Sequence, residues 1–209
     1  MHWRGKAAAL CAAWALACAA AAAGPGAGAG LPGPAGGARE VVEWVIASGD
    51  AQGHPFVVVD KKQARLYAFA PDGRLLAATD VLLGSARGDH SVPGVGDRAQ
   101  TGTLAPQERT TPAGRFLTEP GRNLDGEPVI WFDYDAALAI HRLRPGRSQP
   151  LRAARLASSA PDERRLSLGC VVVPVPFYLE VIEPLLGRTT GVVYVLPETQ
   201  EALAPFMPA

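Results

Sequence analysis

The sequence is poor in cysteine, and that scarcity is its most informative property. Of 209 residues only Cys11, Cys18 and Cys170 are cysteine. The first two lie in an N-terminal stretch that reads as a cleavable leader, so the mature chain is expected to keep one thiol and no internal disulfide. A lone cysteine in an oxidising compartment is either buried and inert or retained for its reactivity, and composition alone favours burial. Surplus charge is also absent: Lys plus Arg and Asp plus Glu each number 20, which argues against a nucleic-acid partner. Past the leader no apolar run is long enough to span a bilayer. One cysteine and scattered histidines make no metal-ligand cluster, and the sequence implies neither a metal nor a cofactor. There is no internal repeat, nor the alternation of long helices and strands that a doubly wound parallel sheet requires.

What is present begins with a basic head, Arg4 and Lys6, followed by an uncharged alanine-rich run to Ala23. This is the pattern of a signal peptide over residues 1–23, with cleavage near Ala23 and export to the periplasm or cell envelope. A lipid anchor at Cys18 is the lesser alternative, because Ala15-Leu16-Ala17 lacks the leucine usual three positions before such a cysteine. Residues 24–38 are almost wholly Gly, Ala and Pro and read as a flexible linker. Residues 39–209 are long enough for one domain with a substantial core.

Within that domain, residues 41–46 fit a short helix or a strand equally well. Residues 56–60, 64–70 and 74–84 are short β-branched and aromatic runs separated by turn residues at Lys62 and Asp72-Gly73, the mark of a meander. Residues 85–111 show no apolar period and read as a long loop. Strand character resumes at residues 114–117, 128–132 and 137–143, with His141 near the end of the last. Residues 144–165 read as a second irregular segment. Together with Arg142 it carries seven arginines against Asp162 and Glu163, and is either a solvated face or a lip that attracts carboxylates. Residues 166–173 are apolar and β-branched, residues 176–186 have helical spacing ended by Gly187, and residues 191–196 form a last strand. The expected fold class is mainly β, a sandwich or partly closed barrel with one or two short helices.

The step Ser167-Leu168-Gly169-Cys170 delivers the cysteine into the apolar run Val171-Val172-Val173. A small-residue turn of this kind can expose a sulfur while aiming backbone N–H groups at a carbonyl oxygen. An ordinary thiol, with a pKa of about 8.5, needs a nearby base or cation to act as a nucleophile at neutral pH. His54 and His90 sit in positions more often solvated than functional, whereas His141 follows an apolar run at a strand end. A core or surface histidine remains as good a reading of His141 taken alone.

Three motifs occur in one order: Thr111-Pro112-Ala113-Gly114-Arg115-Phe116, then Ile140-His141, then Ser167-Leu168-Gly169-Cys170. As a set they resemble the L,D-transpeptidase (YkuD-type) catalytic domain, and the likeness spans roughly residues 56–196. Members of that family show a Thr-Pro-x-Gly-x-aromatic strand entry, an Ile-His strand end and a Ser-His-Gly-Cys block whose cysteine is the nucleophile. The sequence departs from the pattern at Leu168, where the family has histidine, and at Val172, where it commonly has Arg or Asn. The spacer of residues 142–166 is also longer than usual, as an inserted flap would make it.

The resemblance implies an exported cysteine acyltransferase acting on peptidoglycan stem peptides, with Cys170 as nucleophile and His141 as base. It further implies backbone N–H groups of Gly169 and Cys170 for the oxyanion, Ser167 for positioning His141 or the turn, and Arg142, Arg164 or Arg165 for a substrate carboxylate. The acyl group passes to a second stem, to another amine, or to water as in an L,D-carboxypeptidase. The rival readings are a catalytically degenerate peptidoglycan-binding relative and an unrelated β-sandwich interaction module with a buried structural cysteine. Oligomeric state is not legible.

Overall fold

The computed structural model describes residues 33–207. The expected signal peptide, the Cys18 alternative and residues 24–32 of the expected linker lie outside the described residues.

The first element is helix α1 (Gly37–Ser48), which begins two residues inside the segment read as linker and settles the ambiguity at residues 41–46. Ala38, Val41, Val42 and Val45 are buried at i, i+3, i+4 and i+7, the spacing of one helical face, and Gly49 ends the helix in the left-handed conformation. The expected meander follows as β1 (Phe56–Asp60), β2 (Arg65–Phe69) and β3 (Leu75–Asp80), each antiparallel to the last. The short β4 (Leu83–Gly84) comes next.

The segment read as a long loop contains helix α2 (Val95–Thr101) and a 3-10 turn (Pro106–Glu108). Beyond it run β5 (Gly114–Leu117), β6 (Glu119–Arg122), β7 (Pro128–Asp133) and β8 (Leu138–Arg142). The arginine-rich segment, also read as irregular, holds helix α3 (Gln149–Leu156) and a 3-10 turn (Pro161–Arg164). Next come β9 (Arg165–Ser167) and β10 (Val171–Val173). The helix expected at residues 176–186 runs as α4 (Val175–Phe177), a π turn (Tyr178–Ile182) and α5 (Glu183–Leu186), with Gly187 at its end. The last strand is β11 (Val192–Val195).

These strands make a five-stranded sheet ordered β3-β2-β1-β11-β5, a four-stranded sheet ordered β10-β8-β7-β6, and a small β4-β9 pair. The architecture is mainly β, as expected, with two packed sheets and no closed barrel. Alternate residues fill the space between the sheets: Val57, Val59, Leu66, Val193 and Val195 meet Ile130, Phe132, Leu138, Ile140, Val171 and Val173 in one buried cluster. The other face of the five-stranded sheet is covered by α1, through Phe56, Val58, Tyr67, Phe69 and Tyr194. With both faces buried, β1 reads in sequence as an unbroken apolar run rather than an alternation.

The period of two assigns the outer face of the four-stranded sheet to the opposite parity. There Val172 and Leu143 pack with Leu82 and with Leu156 of α3, forming a smaller core that seats the helix on the sheet.

Candidate active site

Strands β8 and β10 run parallel, with Val171 opposite Ile140 and Val172 opposite His141. Ile140, Val171 and Val173 point into the main core, so His141, Val172 and, two residues before it, Cys170 share the outer face. Strand spacing and rise put the Cα atoms of His141 and Cys170 about 8 Å apart across the diagonal. Both side chains line a single cavity of about 410 Å³, with Trp131, Ala139, Arg144, Arg152 and Leu168. The structure thus brings together two residues 29 positions apart in sequence.

His141 is buried, with 5 % of its surface exposed. Its Nδ1 lies 2.8 Å from the carbonyl oxygen of Arg142. A carbonyl can only accept, so Nδ1 carries the proton and Nε2 keeps its lone pair, the tautomer a general base needs. Burial, then the nearby charge of Arg144 and that of Arg152, push the imidazole pKa down to about 3, against the hydrogen bond to Arg142. Cys170 is half-buried. Burial pushes its thiol up, opposed by the N–H groups of Ala139 and Cys170 and by the charges of Arg144 and Arg152. At rest the cavity is therefore lined by a neutral thiol and a neutral imidazole. The thiol donates to the carbonyl of Ala137 at 3.6 Å, and among the described residues no hydrogen bond joins it to His141. Ala137 adopts a left-handed φ of 55°, which turns that carbonyl toward the sulfur.

The turn before the sulfur is built by its own residues. Ser167 Oγ donates to the carbonyl of Cys170 at 2.6 Å and accepts from the N–H of Gly169 at 3.0 Å. Of the two roles expected for Ser167, the structure places it in the turn rather than against His141. The same bond corrects the expectation for Gly169: its N–H is already engaged, which leaves the N–H of Cys170 from the expected oxyanion pair. Gly169 has φ +137°, and a Cβ there would lie 2.7 Å from the backbone oxygen of Thr110 and 2.7 Å from Leu138 Cδ2. Gly169→Ala is expected to destabilise the fold by about 3 kcal/mol and to slow alkylation of Cys170, measured by denaturant titration and thiol labelling.

The turn is held from outside by Thr111, whose Oγ1 donates to the carbonyl of Gly169 at 2.8 Å and accepts from the N–H of Gly84 at 2.9 Å. The Thr111 carbonyl in turn accepts from the ammonium of Lys61 at 2.9 Å. Lys61 is itself buried and paired with Asp89 at 2.7 Å. Asp89 also accepts the N–H groups of Glu198 and Thr199. A continuous hydrogen-bonded relay thus runs from residues 198–199 to the residue before the sulfur. Lys61 and Asp89 had no signal in sequence, because their partners are far apart along the chain.

The arginines expected to hold a substrate carboxylate are placed elsewhere. Arg142 is paired with Glu127 at 3.0 Å. Arg164 is buried, donates to the carbonyls of Ser158 and Gln63, and pairs with Asp80 at 3.2 Å. Arg165 donates to the carbonyl of Lys61 and pairs with Glu198. None of the three lines the cavity, since each guanidinium is held by partners that tie the fold together. The arginines that line it are Arg144, Arg152 of α3 and Arg122 at the end of β6.

No protein-family model and no curated protein matches the sequence. Solved structures do. The matching structures include L,D-transpeptidase catalytic domains. The chain is 17 % identical to the L,D-transpeptidase of Xylanimonas cellulosilytica, over 68 % of this chain and 60 % of that one, with a TM-score of 0.41. It is 16 % identical to the helical cell shape determining protein Pgp2 of Campylobacter jejuni, over 71 % and 49 %, with a TM-score of 0.44. It is 19 % identical to the catalytic domain of the E. faecium L,D-transpeptidase, over 69 % and 98 %, with a TM-score of 0.35. The chain thus spans 60 % or less of the length of the first two.

The departures noted in sequence have structural counterparts. Leu168 is 44 % exposed at the cavity rim. Val172 is fully buried against Leu82, Leu143 and Leu156; a charged side chain at this position would be sealed under α3 without a partner.

A depressed histidine pKa is also a statement about stability. The folded protein holds His141 neutral, whereas the unfolded chain protonates it near its ordinary value of 6.5. Its contribution is therefore complete above pH 6.5 and is lost as pH falls toward 3. Between pH 6.5 and 5, wild type is expected to lose roughly 1.5 kcal/mol more than His141→Gln, read from urea titrations at the two pH values.

Proposed function

We propose that the chain is a cysteine-nucleophile acyltransferase of the L,D-transpeptidase type that acts on peptidoglycan stem peptides. The observation that carries the reading is the placement of Cys170 and His141 on one sheet face, opening to one cavity, with Nε2 as the free imidazole nitrogen. On binding of a donor, the thiol leaves the Ala137 carbonyl and gives its proton to His141 Nε2. The sulfur attacks the carbonyl that joins meso-diaminopimelate to the terminal D-Ala. The C–N bond then breaks, the imidazolium returns its proton to the departing amine, and D-Ala leaves a thioester on Cys170. A second stem's side-chain amine, another amine or water takes the acyl group and regenerates the thiol. The N–H of Cys170 is the oxyanion donor in this scheme.

In this reading residues 1–23 are the leader that export to a periplasmic or envelope substrate requires. No helix among the described residues is long and apolar enough to cross a membrane. The test is incubation of the protein with a defined tetrapeptide stem. The expected result is release of D-Ala and an adduct on the Cys170 peptide with the mass of the stem minus D-Ala. Further product masses distinguish cross-linking from hydrolysis. A second reading, a wall-binding relative that has lost catalysis, is favoured by the thiol's hydrogen bond to Ala137 in place of His141. Absence of both D-Ala release and acylation by a carbapenem, with binding to peptidoglycan retained, would establish it.

A further inference from the structure

We infer that Arg144 and Arg152 form a carboxylate-binding end of the cavity beside Cys170. Five arginines of the basic stretch, Arg142, Arg144, Arg155, Arg164 and Arg165, have a carboxylate oxygen within 4 Å. Four of them are engaged outside the cavity, and Arg147 is exposed. Arg144 and Arg152 alone of the seven face into the cavity. Among the described residues Arg152 has neither an ion pair nor a side-chain hydrogen bond. Arg144 Nε is buried with no hydrogen-bond partner, and its nearest carboxylate oxygen, on Glu127, is 3.8 Å away. Glu127 already serves Arg142 through its other oxygen. Arg122, the third arginine lining the cavity, donates to the carbonyl of Gly126. The basic stretch therefore presents two guanidinium groups with unused donors, and each such fork matches a carboxylate in two parallel hydrogen bonds.

The position is built rather than incidental. Arg152 lies four residues before Leu156, on the same helical face, and Leu156 is packed on Val172, Leu82 and Leu143. Seating α3 on the sheet thus aims Arg152 at the cavity. Arg144 follows His141 by three residues just past the end of β8. Among the described residues the one acidic side chain lining the cavity, Asp125, is in the β6–β7 turn beside the exposed Leu124. The lining also includes Ala99, Ala136, Ala137, Ala139 and Trp131, small or flat side chains that leave room for a peptide. The ligand class is an acyl compound with a carboxylate close to the reacting carbonyl. Its assignment to the terminal carboxylate of the leaving residue rests on the function proposed above, whereas the anion site itself does not.

The test compares carboxymethylation of Cys170 by iodoacetate with its carbamidomethylation by iodoacetamide. The full chain is used, both rates are normalised to a free cysteine derivative, and the Cys170 peptide is read by mass spectrometry. The two reagents differ in the carboxylate, so their ratio reports the cations at the sulfur and cancels changes in accessibility. Wild type is expected to favour iodoacetate by about tenfold. Arg152→Gln should lower the ratio several-fold, Arg144→Gln combined with Arg152→Gln should bring it to one, and Arg152→Lys should keep most of it. A ratio unchanged by the substitutions, in variants whose circular dichroism and melting match wild type, overturns the inference. A tetrapeptide ending in D-Ala and its C-terminal amide then test the assignment: wild type should prefer the acid and the double variant should not. Retained preference in the double variant overturns the assignment. Failure of wild type to turn over either peptide, with the iodoacetate preference intact, would sink the proposed function and leave the anion site standing.

Discussion

Replacing Cys170 with alanine is expected to abolish D-Ala release, a loss of at least ~10⁴-fold or about 5.4 kcal/mol of barrier, while leaving the melting temperature within a few degrees of wild type. The asymmetry follows from what the sulfur touches. It is half-buried at the edge of a cavity rather than in the core, and the hydrogen bond it donates is a long contact to Ala137. An alanine fits the same space with little lost packing. The turn that presents residue 170 is held by Ser167, Gly169 and Thr111, none of which bonds the sulfur. Turnover by the alanine variant at the wild-type rate would end the proposed chemistry. A fall in activity accompanied by unfolding would instead make Cys170 a structural residue.

Replacing His141 with glutamine should slow acylation by about 10²–10⁴-fold, and the pH dependence distinguishes loss of a base from loss of packing. In wild type the imidazole stays neutral far below its ordinary value, to about pH 3, and burial holds the thiol protonated above its own. Thiol and base are then both in their working forms across the neutral range, and kcat/KM should be flat from about pH 5 to 8. Without the base only the thiolate reacts, so the variant's rate should climb about tenfold per pH unit. An inflection near 6.5 in the wild-type profile would show that His141 titrates freely and would contradict its buried, cation-flanked setting.

The two catalytic candidates could be named because local patterns, a lone cysteine after Ser-x-Gly and a histidine ending an apolar strand, fall in one order with the Thr111 motif; taken alone, His141 reads equally well as a core histidine. The strands of the main core were legible for the same reason, since β1, β2, β8 and β11 are short apolar runs between turn residues. β6 was not. Glu119-Pro120-Gly121-Arg122 has no apolar residue, and it becomes a strand because its backbone pairs with β7 at the sheet edge. Helices α2 and α3 were read as loop because each is at most eight residues and carries too few apolar positions to show a period. Their stability comes from the surfaces they cover. The arginines were the least legible. Seven occur within 24 residues, and what separates Arg164 and Arg165 from Arg144 and Arg152 is whether Asp80, Gln63, Lys61 or Glu198 arrives from elsewhere in the chain.

The support of the nucleophile by Thr111, Lys61, Asp89 and residues 198–199 sets a condition on any attempt to move this chemistry to another scaffold. A designer who grafts Ser167 to Cys170 onto a foreign strand would carry over the internal hydrogen bonds but none of the outer braces. Such a graft would display a thiol that wanders. A faithful transplant needs four further pieces of polypeptide besides the block itself, which makes the cysteine block the least portable part of the molecule despite being the shortest.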